Sequence, residues 1–259
     1  MKHISSRDNP FFKMLVKLSS SAKFRREESL TLLDGAHLLA AYLDSGESPV
    51  HILLNASAAC NEEITALLAR LDSVVVTQLD DKLFAEVSEL KTPTGILALI
   101  PTIVPVSTTA RFALLLEDLQ DPGNLGSIVR SAAAAGCDAV FLSSGCADAW
   151  SPKVLRAAMG GHFALRIYQQ QNLFDVAQQF SGQLFATSLQ ATQSLYQCQL
   201  HGDIAFMVGN EGAGLSDELL ALASHKITIP MSGKIESLNA AAAAAICLFE
   251  AVRQRAPKQ

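Results

Sequence analysis

Apolar positions recur along this chain with two spacings, one near 3.6 residues and one near 2, which separate amphipathic helices from half-buried strands. Residues 11–18, FFKMLVKL, read as a short helix. Residues 30–43 read as another, with Leu30, Leu33, His37, Leu38 and Tyr42 near one face. A strand is predicted at 51–54 and a helix at 61–71. That helix has Asn61 as its cap and Glu62 and Glu63 in its first turn, where the helix dipole favours carboxylates. Strand 74–77, helix 81–90 and strand 95–100 complete a small α/β unit.

A break follows. Pro101 and Pro105 precede a polar stretch, VSTTAR, without apolar periodicity. The boundary is therefore expected between about 101 and 111, giving domains 1–103 and 110–259. The second domain alternates again. Strands are predicted at 112–117, 139–142, 184–187, 204–208 and 226–230. Helices are predicted at 124–135, 152–159, 173–180, 217–223 and 237–254. This βα alternation implies an α/β fold with a mostly parallel sheet and helices on both faces.

Composition narrows the class. Of 259 residues, 49% are hydrophobic and 17% charged, enough for a buried core and too little charge for a disordered chain. No apolar run approaches the roughly 20 residues of a membrane helix, and MKHISSRDNPFF lacks a signal-peptide core. A soluble, cytoplasmic protein is expected. The five cysteines, Cys60, Cys137, Cys146, Cys198 and Cys247, form no C-x-x-C pair, and the six histidines show no ligand spacing. Neither a disulfide framework nor a metal site is expected.

The net charge is −5, but residues 1–30 carry Lys2, Arg7, Lys13, Lys17, Lys23, Arg25 and Arg26 against Asp8, Glu27 and Glu28. That segment is +4 and the remainder −9. A basic arm on an acidic body can contact phosphates; the competing reading is a solvated amphipathic helix.

Three loops carry candidate chemistry. In D-P-G-N-L-G-S-I-V-R, residues 121–130, Pro122 and Gly123 shape a turn, Asn124 can cap a helix, and Arg130 lies six residues further on. In V-G-N-E-G-A-G-L, residues 208–215, the glycines follow G-x-x-G-x-G around Glu211. That spacing is neither the dinucleotide nor the P-loop pattern. In I-P-M-S-G-K-I-E-S-L-N, residues 229–239, Ser237 or Asn239 can cap the last helix. Taken singly, each loop also reads as an ordinary capped helix or flexible turn. Together they leave carboxyl ends of strands, where open α/β sheets bind ligands, so one composite site is expected.

These pieces resemble the three signature motifs of the SpoU/TrmH family of RNA ribose 2′-O-methyltransferases, within the SPOUT superfamily. The resemblance rests on residues 124–136, 208–216 and 229–239, and extends through R-A-A-M-G, 156–160, and I-C-L-F-E-A-V-R-Q-R, 246–255. The N-terminal unit is similar to the ribosomal-protein-like RNA-binding domain of such enzymes, through R-D-N-P, 7–10, and D-G-A-H-L-L, 34–39. The resemblance implies a trefoil knot in the C-terminal domain and a homodimer with sites at its interface. It implies S-adenosylmethionine held by Met207, Gly209, Asn210, Gly212, Ile229, Met231 and Leu238, and a polar catalytic set of Asn124, Arg130, Glu211, Ser237 and Asn239. The implied reaction is methyl transfer to a ribose 2′-hydroxyl of structured RNA, with ribosomal RNA favoured over transfer RNA. A non-catalytic RNA-binding module is the alternative of another class. The chain departs from the family in its run of alanines, 240–245, where relatives carry valine and serine.

Overall fold

The computed structural model describes residues 2–106, 109–233 and 235–256. Ser107 and Thr108 of the expected linker, and Lys234 of the third loop, lie outside them. The first strands are β1 (Lys2–Ile4), β2 (Leu30–Asp34), β3 (His51–Leu54), β4 (Val75–Leu79) and β5 (Ile96–Pro101). There follow β6 (Phe112–Leu116), β7 (Ala139–Leu142), β8 (Arg166–Tyr168), β9 (Gln183–Thr187), β10 (Gln193–Ser194), β11 (Ile204–Val208) and β12 (His225–Thr228). The helices are α1 (Pro10–Ser20), α2 (Ala22–Glu28), α3 (Ala36–Asp44), α4 (Glu62–Leu68), α5 (Asp81–Val87), α6 (Pro122–Ala134), α7 (Pro152–Ala158), α8 (Leu173–Gln179), α9 (Asp217–Leu222) and α10 (Ala240–Arg255). Among the described residues no helix is long and apolar enough to cross a membrane.

The chain divides into two compact units. One comprises the chain up to Ile103 together with Trp150–Phe163; the other comprises Val104–Ala149 and the chain from Ala164 onward. The sequence reading placed 150–163 in the second domain, and here the compact units differ from it. The segment has partners within the first unit. Thr31, fully buried, donates its hydroxyl to the Trp150 carbonyl at 2.6 Å, and the Tyr42 and Phe163 rings meet edge-on at 5.1 Å. A local pattern cannot reveal partners more than a hundred residues away.

In the first unit a mixed sheet runs β1-β4-β3-β5-β2. Its core joins Phe12, Leu15 and Leu18 of α1 to Leu32, Leu53, Phe84 and Leu99. Residues 30–34 are a strand, not the first turns of a helix. They pair antiparallel with β5, from Leu30 opposite Pro101 to Asp34 opposite Leu97. Leu32 and Leu33, on opposite faces, are both buried. A strand buried on both faces shows a continuous apolar run, which periodicity does not separate from a helix. Gly35, at φ 109°, turns the chain into α3.

The basic arm is also corrected at one position. Arg25 is buried, donating from Nη1 to the carbonyls of Leu18 and Ser19. It fastens α2 to the end of α1 and is withheld from any phosphate. Arg7 pairs with Glu86, and Lys13 with Asp8 at 3.0 Å.

In the second unit a wholly parallel sheet runs β10-β12-β9-β11-β6-β7-β8. Every residue of β6, β7 and β11 is buried, as expected of a sheet covered on both faces. Ala113, Leu115, Phe141 and Met207 pack on one face with Leu173 of α8 and Leu219 of α9. Across the sheet, α10 packs on α6 and on β11. From β6 the chain passes to β7 on one side; from β11 it passes towards β12 on the other. The loops after these neighbouring strands diverge and leave a crevice at their carboxyl ends. Leu116 stands opposite Val208, so both loops start level.

Candidate active site

The loop after β6 is capped differently from the sequence expectation. Asp121, not Asn124, is the N-cap of α6: its Oδ1 accepts from the Asn124 backbone N–H at 2.7 Å, and Pro122 begins the helix. The cap therefore leaves the Asn124 side chain free for other partners.

Those partners come from the other two loops. Asn239 is the N-cap of α10, its Oδ1 accepting from Ala241 and Ala242 N–H at 2.9 and 3.3 Å. Its Nδ2 donates to Asn124 Oδ1 at 2.8 Å. Asn124 Nδ2 donates in turn to Glu211 Oε1 at 2.9 Å. The direction of this chain is fixed by chemistry. Backbone N–H groups can only donate, so the Asn239 oxygen must face the helix and its NH2 group must face outward. Asn124 then presents oxygen to Asn239 and nitrogen to a carboxylate, which only accepts. Residues 124, 211 and 239, one from each motif, thus form a polarised relay ending on Glu211.

The glycine loop is shaped by Asn210. Its Oδ1 accepts from Gly212 and Ala213 N–H at 2.9 and 3.0 Å, and its backbone exchanges two bonds with Gly214 at 3.1 and 2.9 Å. Gly209 is required by close approach: a Cβ there would lie 2.2 Å from the Gly214 carbonyl. Gly214 is required by its φ of 73°.

Against this loop lies a cavity of about 390 Å³. It lies on the carboxyl-end loops of β9, β11 and β12. Gly209, Asn210, Gly212, Ile229, Met231 and Leu238 all line it, as do Glu211 and Ser237. Met207 does not. Its side chain is fully buried in the core between the sheet and α8 and α9, one residue too early on β11 to face the cavity. The loop of Thr187, Ser188, Leu189 and Gln190 also lines the cavity and went unnoticed in the sequence. The signal was its position after strand 184–187; it contains no glycine to draw attention. Ala240 and Ala243 of the alanine run form part of the wall, so that departure sits at the cavity itself.

Arg130 is not brought to the relay within one chain. It is exposed and six residues beyond Asn124 on α6. That places it about 9 Å along the axis and about 120° around it. A thiolate nucleophile at Cys146 is disfavoured. Cys146 donates its thiol to the Leu116 carbonyl at 3.2 Å, and burial pushes that thiol up, away from nucleophilic thiolate character. Among the described residues, no group of three or more His, Cys, Asp or Glu side chains could hold a metal ion.

The chain is similar to known proteins over most of its length. Residues 111–249 match the SpoU rRNA Methylase family, and residues 9–98 match an MRM3-like substrate binding domain. The chain is 35% identical to an uncharacterized tRNA/rRNA methyltransferase of Synechocystis, covering 97% of this chain and 94% of that protein. It is 34% identical to the 23S rRNA (guanosine(2553)-2′-O)-methyltransferase RlmP of Bacillus subtilis, covering 96% and 98%. The AdoMet-bound rRNA methyltransferase of Sinorhizobium meliloti superposes with a TM-score of 0.85 at 27% identity, covering 99% of both chains.

Proposed function

The chain belongs to the SpoU rRNA methylase family, and on that premise we propose that it methylates a ribose 2′-hydroxyl of ribosomal RNA with S-adenosylmethionine as donor. The observation that carries this reading is the relay from Asn239 through Asn124 to Glu211, whose Glu211 end lines a cofactor-sized cavity. The cavity volume lies within the range of about 300–1,000 Å³ typical of small-molecule sites. Leu189, Val208, Ile229, Met231 and Leu238 offer apolar walls for a base, and the turns at 209–214 offer backbone groups for polar atoms. When bound, S-adenosylmethionine supplies a methyl carbon made electrophilic by its sulfonium.

Glu211 spends one oxygen on Asn124 and keeps Oε2 to accept from a ribose hydroxyl. With the relay fixing its position, the carboxylate orients that hydroxyl instead of sampling rotamers, and alignment supplies much of the acceleration. Ser237, exposed on the wall, extends the polar surface. Arg130, permanently charged, serves as a stabiliser of developing oxyanion charge or a grip on phosphate better than as a base.

We place Arg130 at the site of a second copy. The exposed face of α10, with Ala242 and Phe249, is an apolar surface suited to that association. The test mixes two inactive chains, Arg130→Ala and Asn239→Ala. If Arg130 acts across the dimer, mixed dimers hold one intact site and activity returns. Two chains that stay inactive together would place Arg130 within its own site.

The primary test is transfer of labelled methyl from S-adenosylmethionine to total RNA, with mapping of the modified nucleotide. A 2′-O-methyl in ribosomal RNA is expected, lost in Glu211→Ala and Asn124→Ala. Label found only in transfer RNA would favour the transfer-RNA reading. Failure of the protein to bind the cofactor at all would favour a non-catalytic RNA-binding module.

A further inference from the structure

We infer that Glu117 is a positioning residue that pins both ends of the glycine loop against the cavity; the inference rests on the cofactor reading of that cavity. Glu117 follows directly on β6. Its backbone N–H donates to the Val208 carbonyl at 3.0 Å, at the residue where the glycine loop begins. Its side-chain Oε2 accepts from the Ser216 N–H at 2.7 Å, where the loop ends and α9 is capped. One residue therefore holds residues 209–216 at both exits.

The next residue holds the middle. Asp118 has φ 53°, a left-handed conformation uncommon outside glycine. Its Oδ1 accepts from Ser143 Oγ at 2.6 Å, its N–H donates to the same oxygen at 2.9 Å, and Gly145 leaves room for the carboxylate, since a Cβ there would come within 2.2 Å. Held in this way, Asp118 turns its carbonyl to accept from Asn210 Nδ2 at 2.8 Å. Asn210 organises the loop from within. Asp118 also leads, three residues on, into the Asp121 cap and, six residues on, to Asn124. The loop that lines the cavity and the helix that carries the relay thus share one anchor. The 2.7 Å bond to a carboxylate is the only contact through which the Glu117 side chain reaches the loop among the described bonds. It is of the charge-assisted, stronger kind.

The test compares the full-length wild type with Glu117→Ala, Glu117→Met and Glu117→Gln. Glu117→Met keeps the volume and removes the acceptor, and it stands in if Glu117→Ala does not fold. Glu117→Gln keeps an acceptor oxygen. Two readouts are used: equilibrium titration with S-adenosylmethionine, and hydrogen exchange of the amides at 210–216. The acceptor-less variants are expected to bind cofactor at least about tenfold more weakly and to exchange these amides at least about tenfold faster, the loss of one charge-assisted bond. KM for RNA should stay within about twofold, because removing one protein–protein bond touches no phosphate contact. Glu117→Gln should fall within about threefold of wild type in both readouts, since its amide oxygen still accepts. Unchanged affinity and exchange in Glu117→Met, or equal impairment in Glu117→Gln, would overturn the assignment. A wild type that does not bind S-adenosylmethionine would sink the cofactor reading instead, and the exchange measurement would still judge the anchor.

Discussion

Gly209→Ala tests whether the glycine loop is built by contact or merely tolerates small residues. The new Cβ would sit 2.2 Å from both C and O of Gly214 and 2.3 Å from Leu215 N. Real Cβ atoms stay beyond 3.0 Å, so backbone must move by at least 0.8 Å, the difference between 3.0 and 2.2 Å. Backbone cannot swing aside as a side chain would. The movement separates the two strands of the Asn210–Gly214 bridge, which carries hydrogen bonds of 3.1 and 2.9 Å. At about 0.5–1.5 kcal/mol each, their loss costs roughly 1–3 kcal/mol. For a unit of this size that lowers the melting temperature by on the order of 5 °C. The same shift moves the cavity wall, so S-adenosylmethionine should bind at least about tenfold more weakly. Gly212→Ala is the control. Its Cβ meets only Asn210 Oδ1, at an ordinary 3.5 Å, and its φ needs no glycine. It should melt within about 1 °C of wild type, because no backbone has to move to admit the methyl group. Thermal melts and cofactor titrations on both variants decide the matter. A Gly209→Ala protein with wild-type affinity and melting temperature would refute the argument.

Asn239 has two separable duties. Asn239→Ala should lose turnover and about 1 kcal/mol of stability with the lost cap, whereas Asn239→Ser should keep the stability and still lose turnover in a methyl-transfer assay. Burial raises the Asp34 carboxyl above its ordinary range, outweighing the bonds it accepts from Ser88 and Glu89 and the nearby Arg156 charge. Its native state thus favours the neutral form, so the group's contribution is present below the ordinary carboxylate pKa of about 4 and lost as pH rises through the raised native value. Asp34→Asn should raise the melting temperature at neutral pH, with the gain shrinking towards about pH 4; a gain that does not vary with pH would contradict this. Arg25→Ala should lower stability by about 1–3 kcal/mol and leave the salt dependence of RNA binding unchanged, while Lys13→Ala or Lys17→Ala should flatten that dependence if the arm meets phosphates.

Much of the second unit could be read from the sequence. Strands 139–142 and 204–208 match the structure to the residue, because short, wholly apolar runs bounded by glycine or polar residues have few alternatives. The relay was legible as three separate motifs; its wiring was not. Asn124 looked like a cap because it precedes an apolar helix, and only the structure shows Asp121 holding that place. Met207 was placed in the cofactor set by resemblance, and strand alternation turns it into the core. Residues 30–34 misled because a doubly buried strand and a buried helix share the same run of leucines. The strands β8 and β10, with three and two residues, are too short to leave a period. The part played by 150–163 depends on distant partners such as Thr31, which no local window contains.

Because one amide both starts the final helix and faces the relay, fraying at that helix's first turn disconnects the chemistry without melting the sheet beneath it. Gentle warming should therefore silence the enzyme while its secondary structure still looks intact, and cooling should restore it.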